Sequence, residues 1–312
     1  MVLCVFRRVL FYMNKKESFT KPFLSYQEQA DLLIRRGLVC TDKEKLVQSL
    51  QHYNYYRLSG YCLAFEQERH RFLEGVSFAD LAASYEFDRK LRKILMESLE
   101  LIEIQLRTSI AYHLAQKYGA FAHENISNLH ITEDTFIKWQ SLVYDLADNS
   151  KEIFIRHFKE KYSEFPQLPI WILVEILPFG SLSHLFSYLK NEDKKVISAL
   201  FNIHATVLVN WLHVFSHIRN ICAHHNRLFD RTLSIGARRI QGIAEDFPTN
   251  KIIFGIIAIR TVLRAPCFPQ FIVRAWTRKI EDLFASKPHI ENFYQLIGSP
   301  MEDHWLDTNL WK

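Results

Sequence analysis

The longest uninterrupted pattern in the chain runs from residue 78 to residue 118. Its apolar residues recur every three or four positions, which is the spacing of one face of an α-helix. The stretch contains no proline, and Gly119 follows it as a residue suited to ending a helix. The apolar positions are Leu81, Tyr85, Leu91, Leu95, Leu99, Ile102, Leu106 and Ile110. The pattern predicts one long helix, or a broken pair of helices, that serves mainly as scaffold.

Most charged residues of this stretch fall off the apolar stripe. Glu103 and Arg107 are four residues apart, which predicts an exposed ion pair. Asp88, Arg89 and Arg92 predict a structural ion-pair network. Contact of Arg89 or Arg92 with RNA is the less favoured alternative.

The N-terminal part predicts shorter helices. A capping box of Ser25 and Glu28 begins a helix over residues 25–36, and Asp42 signals the start of a second helix. Residues 54–61 form an aromatic cluster that is expected to end in a turn. A helical subdomain packed on the main body is the favoured interpretation, with a winged-helix or helix-turn-helix unit as the alternative.

The rest of the chain continues the helical patterns, with proline-containing breaks. Predicted helices cover 133–148, 151–162, Ile170–Leu177, a segment beginning at Ser181, His204–Arg227, and short stretches from Thr232 to Lys312. The chain has only 9 Gly and 9 Pro among 312 residues, which favours long helices over a many-stranded β fold. The predicted fold class is all-α.

Cysteine content and hydropathy bear on the cellular compartment. The five cysteines are an odd number and form no Cys-x-x-Cys pair, which disfavours a disulfide framework or a zinc–thiolate site. No apolar run approaches the roughly 20 residues that cross a bilayer. The expectation is a cytoplasmic protein with no membrane partner.

The net charge of +5 is unevenly distributed. Between Ala205 and Ile280 there are 11 Lys and Arg against 3 Asp and Glu, which gives +8 there and −3 for the remainder. This asymmetry indicates a polyanionic partner for the C-terminal third, with a solvated basic surface as an equally weighted alternative.

The segment from Leu208 to Arg227 combines a core face with an unusual polar face. At 100° per residue, its large apolar side chains and Cys222 form one stripe. The opposite sector, about 80° wide by the same helical geometry, holds His213, His217, Asn220, His224 and Arg227. Such a face can exchange protons and bind phosphate near neutral pH.

Arg219 lies about 140° around the helix from His224, so the two side chains do not easily meet on one substrate. Two copies of the helix facing each other would bring both residue types to one cleft. The sequence therefore predicts a homodimeric or pseudo-dimeric site.

The segment Arg219-Asn220-Ile221-Cys222-Ala223-His224 resembles the Arg-x4–6-His motif of HEPN ribonucleases. The longer run Ile218–Leu228 resembles the Abi-like (AbiD/AbiF) abortive-infection family within that superfamily. Further segments over roughly residues 22–231 resemble the family in the expected order. They begin at Tyr26, Asn54, Tyr85, Glu103 and Leu168. Asp230 departs from the pattern, since relatives often carry Asn there.

The resemblance implies an α-helical HEPN-type bundle over residues 22–235, including the N-terminal subdomain. A C-terminal helical extension would cover 236–312 and a tail 1–21, with Met13 as an alternative start. The implied activity is cleavage of RNA without a metal or other cofactor, by attack of the substrate's own 2′-OH, as a toxin-like effector against phage. A protein or RNA antitoxin is a further partner that the sequence leaves open.

The resemblance also assigns roles to residues. His224 would transfer the proton, Arg219 would hold the scissile phosphate, and Asn220 would orient one of them or the substrate. The expected RNA- or phosphate-binding residues are His225, Arg227, Arg231, Arg238 and Arg239.

Alternatives to this assignment remain open. The same face could bind RNA without cutting it, or His213, His217, His224 and His225 could hold zinc in a metallohydrolase. Cys222 is expected to pack in the core rather than act as a nucleophile. Glu175 is expected to be a buried polar anchor, with a site residue as the less favoured alternative.

Overall fold

The computed structural model describes residues 18, 20–242, 245–290, 292–300, 306 and 311. The predicted tail of residues 1–21 therefore lies mostly outside the described residues. The described part is all-α, as predicted, apart from one small two-stranded sheet. Its elements in chain order are α1 Tyr26–Arg35, α2 Lys43–His52, α3 Tyr55–Cys62, β1 Glu66–Glu68, β2 Arg71–Phe72, α4 Phe78–Tyr118, α5 Glu133–Asn149, α6 Ile153–Lys161, α7 Ile170–Ile176, α8 Phe179–Tyr188, α9 Asn191–Leu200, α10 Ala205–Ala223, α11 Ile252–Leu263, α12 Gln270–Ala285 and α13 Phe293–Ile297.

The chain divides into two compact units. Among the described residues, the smaller unit comprises those up to residue 59 together with 65–78, and the larger comprises 60–64 and those from residue 79 onward. The boundary expected at 235/236 falls within the larger unit and stays a prediction.

In the smaller unit, α1 and α2 pack on each other and the hairpin of β1 and β2 follows. The capping box is present, since Ser25 Oγ accepts from the Glu28 amide and the Glu28 carboxylate accepts from the Ser25 amide. Asp42 caps α2 by accepting from the Lys45 amide. Residues 54–61 were expected to end in a turn, but they are mostly helical within α3.

The larger unit contains nearly all of the long helix. The structure shows α4 as one continuous helix of 41 residues, and Gly119 follows in the left-handed conformation with φ +88°. The eight apolar positions predicted for its stripe are all buried. The stripe therefore provides the surface on which the core of this unit is built.

α10 and α11 lie in the centre of this core. Ten of the twelve residues of α11 are buried, so it behaves as an interior helix rather than an amphipathic one. A Cβ at Gly255 would lie 2.7 Å from Cδ1 of Ile218, so glycine permits the close approach of α11 to α10.

Prolines punctuate the elements before α10. Pro178 separates α7 from α8, because the residue before a proline avoids helical backbone and Leu177 is extended with ψ 127°. The next helix begins at Phe179, two residues earlier than the predicted start at Ser181.

The motif helix is shorter than predicted. The sequence pattern extends it to Arg227, whereas α10 ends at Ala223 and His224 caps it. His225 has a left-handed backbone with φ 55°, and the Asn226 amide donates to the Ile221 carbonyl at 2.9 Å. This six-residue closure ends the helix although no glycine is present.

Among the described residues, no single helix combines the length and apolarity needed to cross a membrane. The helices Asn191–Leu200 and Ala205–Ala223, which meet at a bend of 72°, satisfy that criterion only when taken together.

Candidate functional site

The C-terminal end of α10 carries the motif. Asn220, Ala223 and His224 are exposed there, and the exposed surface continues through His225 and Asn226. His224 keeps a near-helical backbone, and its amide donates to the Asn220 carbonyl at 3.0 Å. The structure therefore presents two imidazoles and two amide side chains to solvent at one helix end.

Arg219 turns from this end toward α4. Its Nη1 donates to Oδ1 of Asn220 at 3.2 Å, and its Nη2 lies 3.5 Å from Oε2 of Glu103. The side chain is 29% exposed, so it is partly shielded yet accessible. Two acceptors orient the guanidinium, and donors remain for an anion.

Glu103 joins Arg219 to a second arginine. Its Oε1 accepts from Nη2 of Arg107, and that nitrogen also donates to the Leu177 carbonyl at 2.8 Å. The side chains of Glu103 and Arg107 are 12% and 13% exposed, so the prediction of an exposed pair is wrong. The end of α7 covers the pair, which helical spacing on α4 alone does not reveal.

Asp88 fixes the chain just after the motif. Its fully buried carboxylate accepts from the Leu228 amide at 3.2 Å, the Phe229 amide at 2.9 Å and the Tyr61 hydroxyl at 2.6 Å. Arg92 pairs with the same carboxylate and also donates to the Asn226 carbonyl at 3.4 Å. The loop after α10 is therefore bound to the scaffold helix by a charged group.

Asp88 and Arg92 therefore form the structural ion pair that was predicted. Arg89 is not part of it, because it pairs with Glu86 at 2.7 Å. Burial raises the pKa of Asp88, and the charge of Arg92 together with the hydrogen bonds it accepts opposes that shift. Burial, followed by the charge of Asp88, raises the pKa of Tyr61, so its hydroxyl stays a donor.

His213 and His217 form hydrogen bonds with residues outside the helix-end cluster. His213 Nδ1 lies 2.9 Å from Ser183 Oγ, and His217 Nε2 lies 3.1 Å from Ser234 Oγ. Burial lowers the pKa of both imidazoles. Among the described residues no three His, Cys, Asp or Glu side chains are grouped to hold a metal, so the histidines expected to share zinc do not converge.

Cys222 lies in the core, as predicted, and is 3% exposed. Burial raises the pKa of its thiol to about 12, which keeps it protonated and a poor nucleophile. Glu175 is exposed on α7, so the expectation of a buried anchor is wrong.

Arg227 and Arg231 lie on the turn after the helix rather than on its polar face. Arg227 pairs with Asp230 at 3.5 Å, and Arg231 donates to the Arg227 carbonyl at 3.4 Å. A Cβ at Gly60 would meet Nε of Arg227 at 3.5 Å, so the arginine stem runs close to Gly60. Asp230, the departure from the family pattern, adopts φ 48° and is also 3.9 Å from Lys251.

Arg238 and Arg239 lie near the other end of α10. The Arg238 amide donates to Asn210 Oδ1, and its carbonyl accepts from Trp211 Nε1 at 2.8 Å. Asn210 precedes His224 by 14 residues, or about 21 Å along the helix axis. Arg239 donates to the carbonyls of Glu245 and Phe247, so it braces its own loop. These two arginines are not part of the helix-end cluster.

A sequence model of the Abi-like protein family matches residues 48–230, which is more than half of the chain. The chain belongs to the Abi-like family. The matched range contains the helix end, Glu103 and Asp88, so the features described above lie within the family region. Membership indicates a function related to abortive infection. Neither the curated proteins nor the solved structures contain a significant match to the chain.

Replacing Asp88 with alanine is expected to lower the free energy of unfolding by about 3–5 kcal/mol, because Arg92 would be left buried and unpaired. Urea unfolding measures this loss. Hydrogen exchange should also speed up at the Leu228 and Phe229 amides, which lose their acceptor. Glu86→Ala is the matched control on the same helix, since its half-exposed pair should contribute at most about 1 kcal/mol. Equal losses in the two variants would contradict the role given to Asp88.

Proposed function

We propose that this Abi-like protein is a metal-independent RNA endonuclease of the HEPN type, acting in the cytoplasm as a toxin-like effector of abortive infection. The observation that carries the proposal is the juxtaposition of Arg219, Asn220 and exposed His224 at one helix end that Asp88 holds in place. Phosphodiester cleavage through a 2′-OH requires a proton acceptor and stabilisation of the phosphorane charge, which an imidazole and a guanidinium can supply.

In the proposed reaction, His224 accepts the proton of the substrate's 2′-OH. The O2′–P bond forms while the P–O5′ bond breaks. The leaving 5′-oxygen takes up a proton from water, and His224 then returns its proton to solvent. Arg219 holds the scissile phosphate and stabilises the negative charge of the phosphorane. Asn220, which already accepts from Arg219, keeps the guanidinium oriented. The products are a 2′,3′-cyclic phosphate and a 5′-hydroxyl, and DNA is inert because it lacks the nucleophile.

A homodimer is part of this proposal. Arg219 and His224 are separated by five residues, about 7.5 Å along the axis and about 140° around it. Arg219 is also drawn toward α4 by Glu103, which keeps it from turning to His224. With a second copy facing the first, each cleft would combine Arg219 of one copy with His224 of the other.

An RNA-binding protein that does not cut is the second candidate, because the same exposed groups suit binding. Analysis of product ends separates it from the nuclease. A histidine metallohydrolase has little support, because Ser183 and Ser234 engage two of the four histidines that it needs.

His224→Ala and Arg219→Ala should each lower RNA cleavage by about 10²–10⁴, since each removes a group acting on the reacting atoms. Single-turnover cleavage of a labelled strand, in EDTA, measures the rate and the cyclic or 3′-phosphate ends. A strand with 2′-deoxy substitution at the scissile position should remain intact.

His157→Ala provides the matched control, because His157 is an exposed histidine on α6. A melting curve accompanies Arg219→Ala, since that side chain is partly buried against Glu103. Wild-type cleavage by His224→Ala, or loss of cleavage in EDTA, would show the mechanism to be wrong.

Sedimentation at micromolar concentration is expected to give a mass of about twice 37.0 kDa. Mixing His224→Ala with Arg219→Ala should restore part of the activity, because a mixed dimer keeps one complete cleft. A strictly monomeric protein that still cuts RNA would rule out the shared cleft.

RNA affinity should fall with salt, because basic residues of the C-terminal third displace counterions from phosphate. Replacing Arg238 and Arg239 with glutamine should flatten that dependence, measured by fluorescence anisotropy between 50 and 200 mM salt, the range over which such losses are typically large. Arg238→Gln is also measured alone, because Arg239 braces its loop and Arg238 is the more dispensable to the fold. An unchanged slope in both variants would make this charge an ordinary solvated surface.

A further inference from the structure

A surface groove lies between α4 and α7, beside the candidate site. It encloses about 500 Å³, and its lining includes the exposed aromatic side chains Tyr112 and Trp171. Tyr112 is 70% exposed and Trp171 is 51% exposed, while Ala111, which also lines the groove, is buried. Large aromatic rings left in water beside a small buried residue offer flat apolar faces for a ligand.

The same groove carries hydrogen-bonding groups of both kinds. The amide of Gln116 can donate and accept, and the carboxylate of Glu175 can accept. Arg107 also lines the groove, but its Nη1 is buried and has no hydrogen-bond partner among the described residues. Aromatic faces with mixed donors and acceptors suit a planar heterocycle such as a nucleobase.

The groove is linked to the helix end through the carboxylate of Glu103. Arg107, which lines the groove, shares the carboxylate of Glu103 with Arg219. A single residue therefore separates the guanidinium proposed to hold the scissile phosphate from the one in the groove. A strand bound at Arg219 would have a neighbouring nucleotide within reach of Tyr112 and Trp171.

We propose that this groove binds one base of single-stranded RNA, adjacent to the scissile phosphate, by stacking on Trp171 and Tyr112. This inference rests on the proposed nuclease function and deepens it by assigning a base-binding subsite. The anionic Glu175 disfavours a phosphate in the groove, so the base enters and the backbone stays at Arg219. Stacking tolerates different bases, whereas Glu175 and Gln116 can favour bases with an exocyclic amino group.

The dimensions also favour a base over a second copy of the chain. The groove is lined by nine residues, whereas a stable protein interface uses about 20–30 residues a side. Its volume falls within the range of about 300–1,000 Å³ that is typical of small-ligand sites.

The test uses a strand of 2′-O-methyl nucleotides that contains a single ribonucleotide, which fixes the scissile position. Abasic residues replace, one at a time, the four nearest bases. For the wild type, one of these positions should lower kcat/KM by about tenfold, the loss of one stacked base. For Trp171→Ala, the intact strand should be cut about tenfold more slowly, and the abasic residue at that position should add nothing.

Phe271→Ala is the matched control, since Phe271 is an exposed aromatic residue on α12 and is 69% exposed. It should retain the wild-type rate and the wild-type response to the abasic residue. Tyr112→Ala should behave as Trp171→Ala does, which guards against an effect peculiar to one variant. Circular dichroism and melting temperature establish that each variant is folded.

The outcomes separate this inference from the proposed function. If the wild type cuts every abasic strand equally, or Trp171→Ala cuts at the wild-type rate, the groove is not a base site although the nuclease stands. If the wild type cuts nothing but binds the intact strand more tightly than one abasic strand, and Trp171→Ala abolishes that difference, the base site stands and catalysis fails. If Trp171→Ala converts dimer to monomer in sedimentation with no base dependence, the groove is a self-association surface and the inference is overturned. Absence of both cutting and binding overturns both.

Discussion

The candidate site depends on one buried carboxylate. Asp88 on α4 accepts from two successive backbone amides of the loop after α10, from Tyr61 and from Arg92. Burying a charge is costly unless it is paired and fully hydrogen-bonded, and these partners meet that requirement. In return, residues 226–229 are held on the scaffold helix, and the direction in which α10 ends is fixed.

Most of the scaffold could be predicted from the sequence, because the signals were local. The stripe on α4, the capping box of α1 and the proline between α7 and α8 each act within a few residues. The end of α10 could not be predicted in this way. His225 adopts a left-handed backbone without being glycine, and the amides that follow bond to a carboxylate 140 residues earlier in the chain.

Some residues of the candidate site could likewise be predicted from local sequence, whereas the environment of others depends on distant segments. Arg219, Asn220 and His224 followed from motif spacing, and the structure places them at one helix end. Glu103 was expected to be half of an exposed pair, because the chain segment that covers it comes from α7, about 70 residues away. The predicted polar face also included His213 and His217, which are not part of the helix-end cluster. Their hydrogen bonds to Ser183 and Ser234 come from segments distant in sequence, which helical periodicity alone cannot reveal.

The exposure of His224 has a consequence for the proposed chemistry. A proton acceptor and a guanidinium in open water act through a high dielectric, where charges 4 Å apart gain only about 1 kcal/mol. Stabilising a phosphorane needs oriented donors in a site from which water is excluded. The fold supplies the orientation, through Asp88 for the helix end and Glu103 for Arg219. It does not enclose His224, so the enclosure must come from what docks there. Under the proposed mechanism a second copy and the bound RNA strand would together provide it, and activity would then depend on assembly.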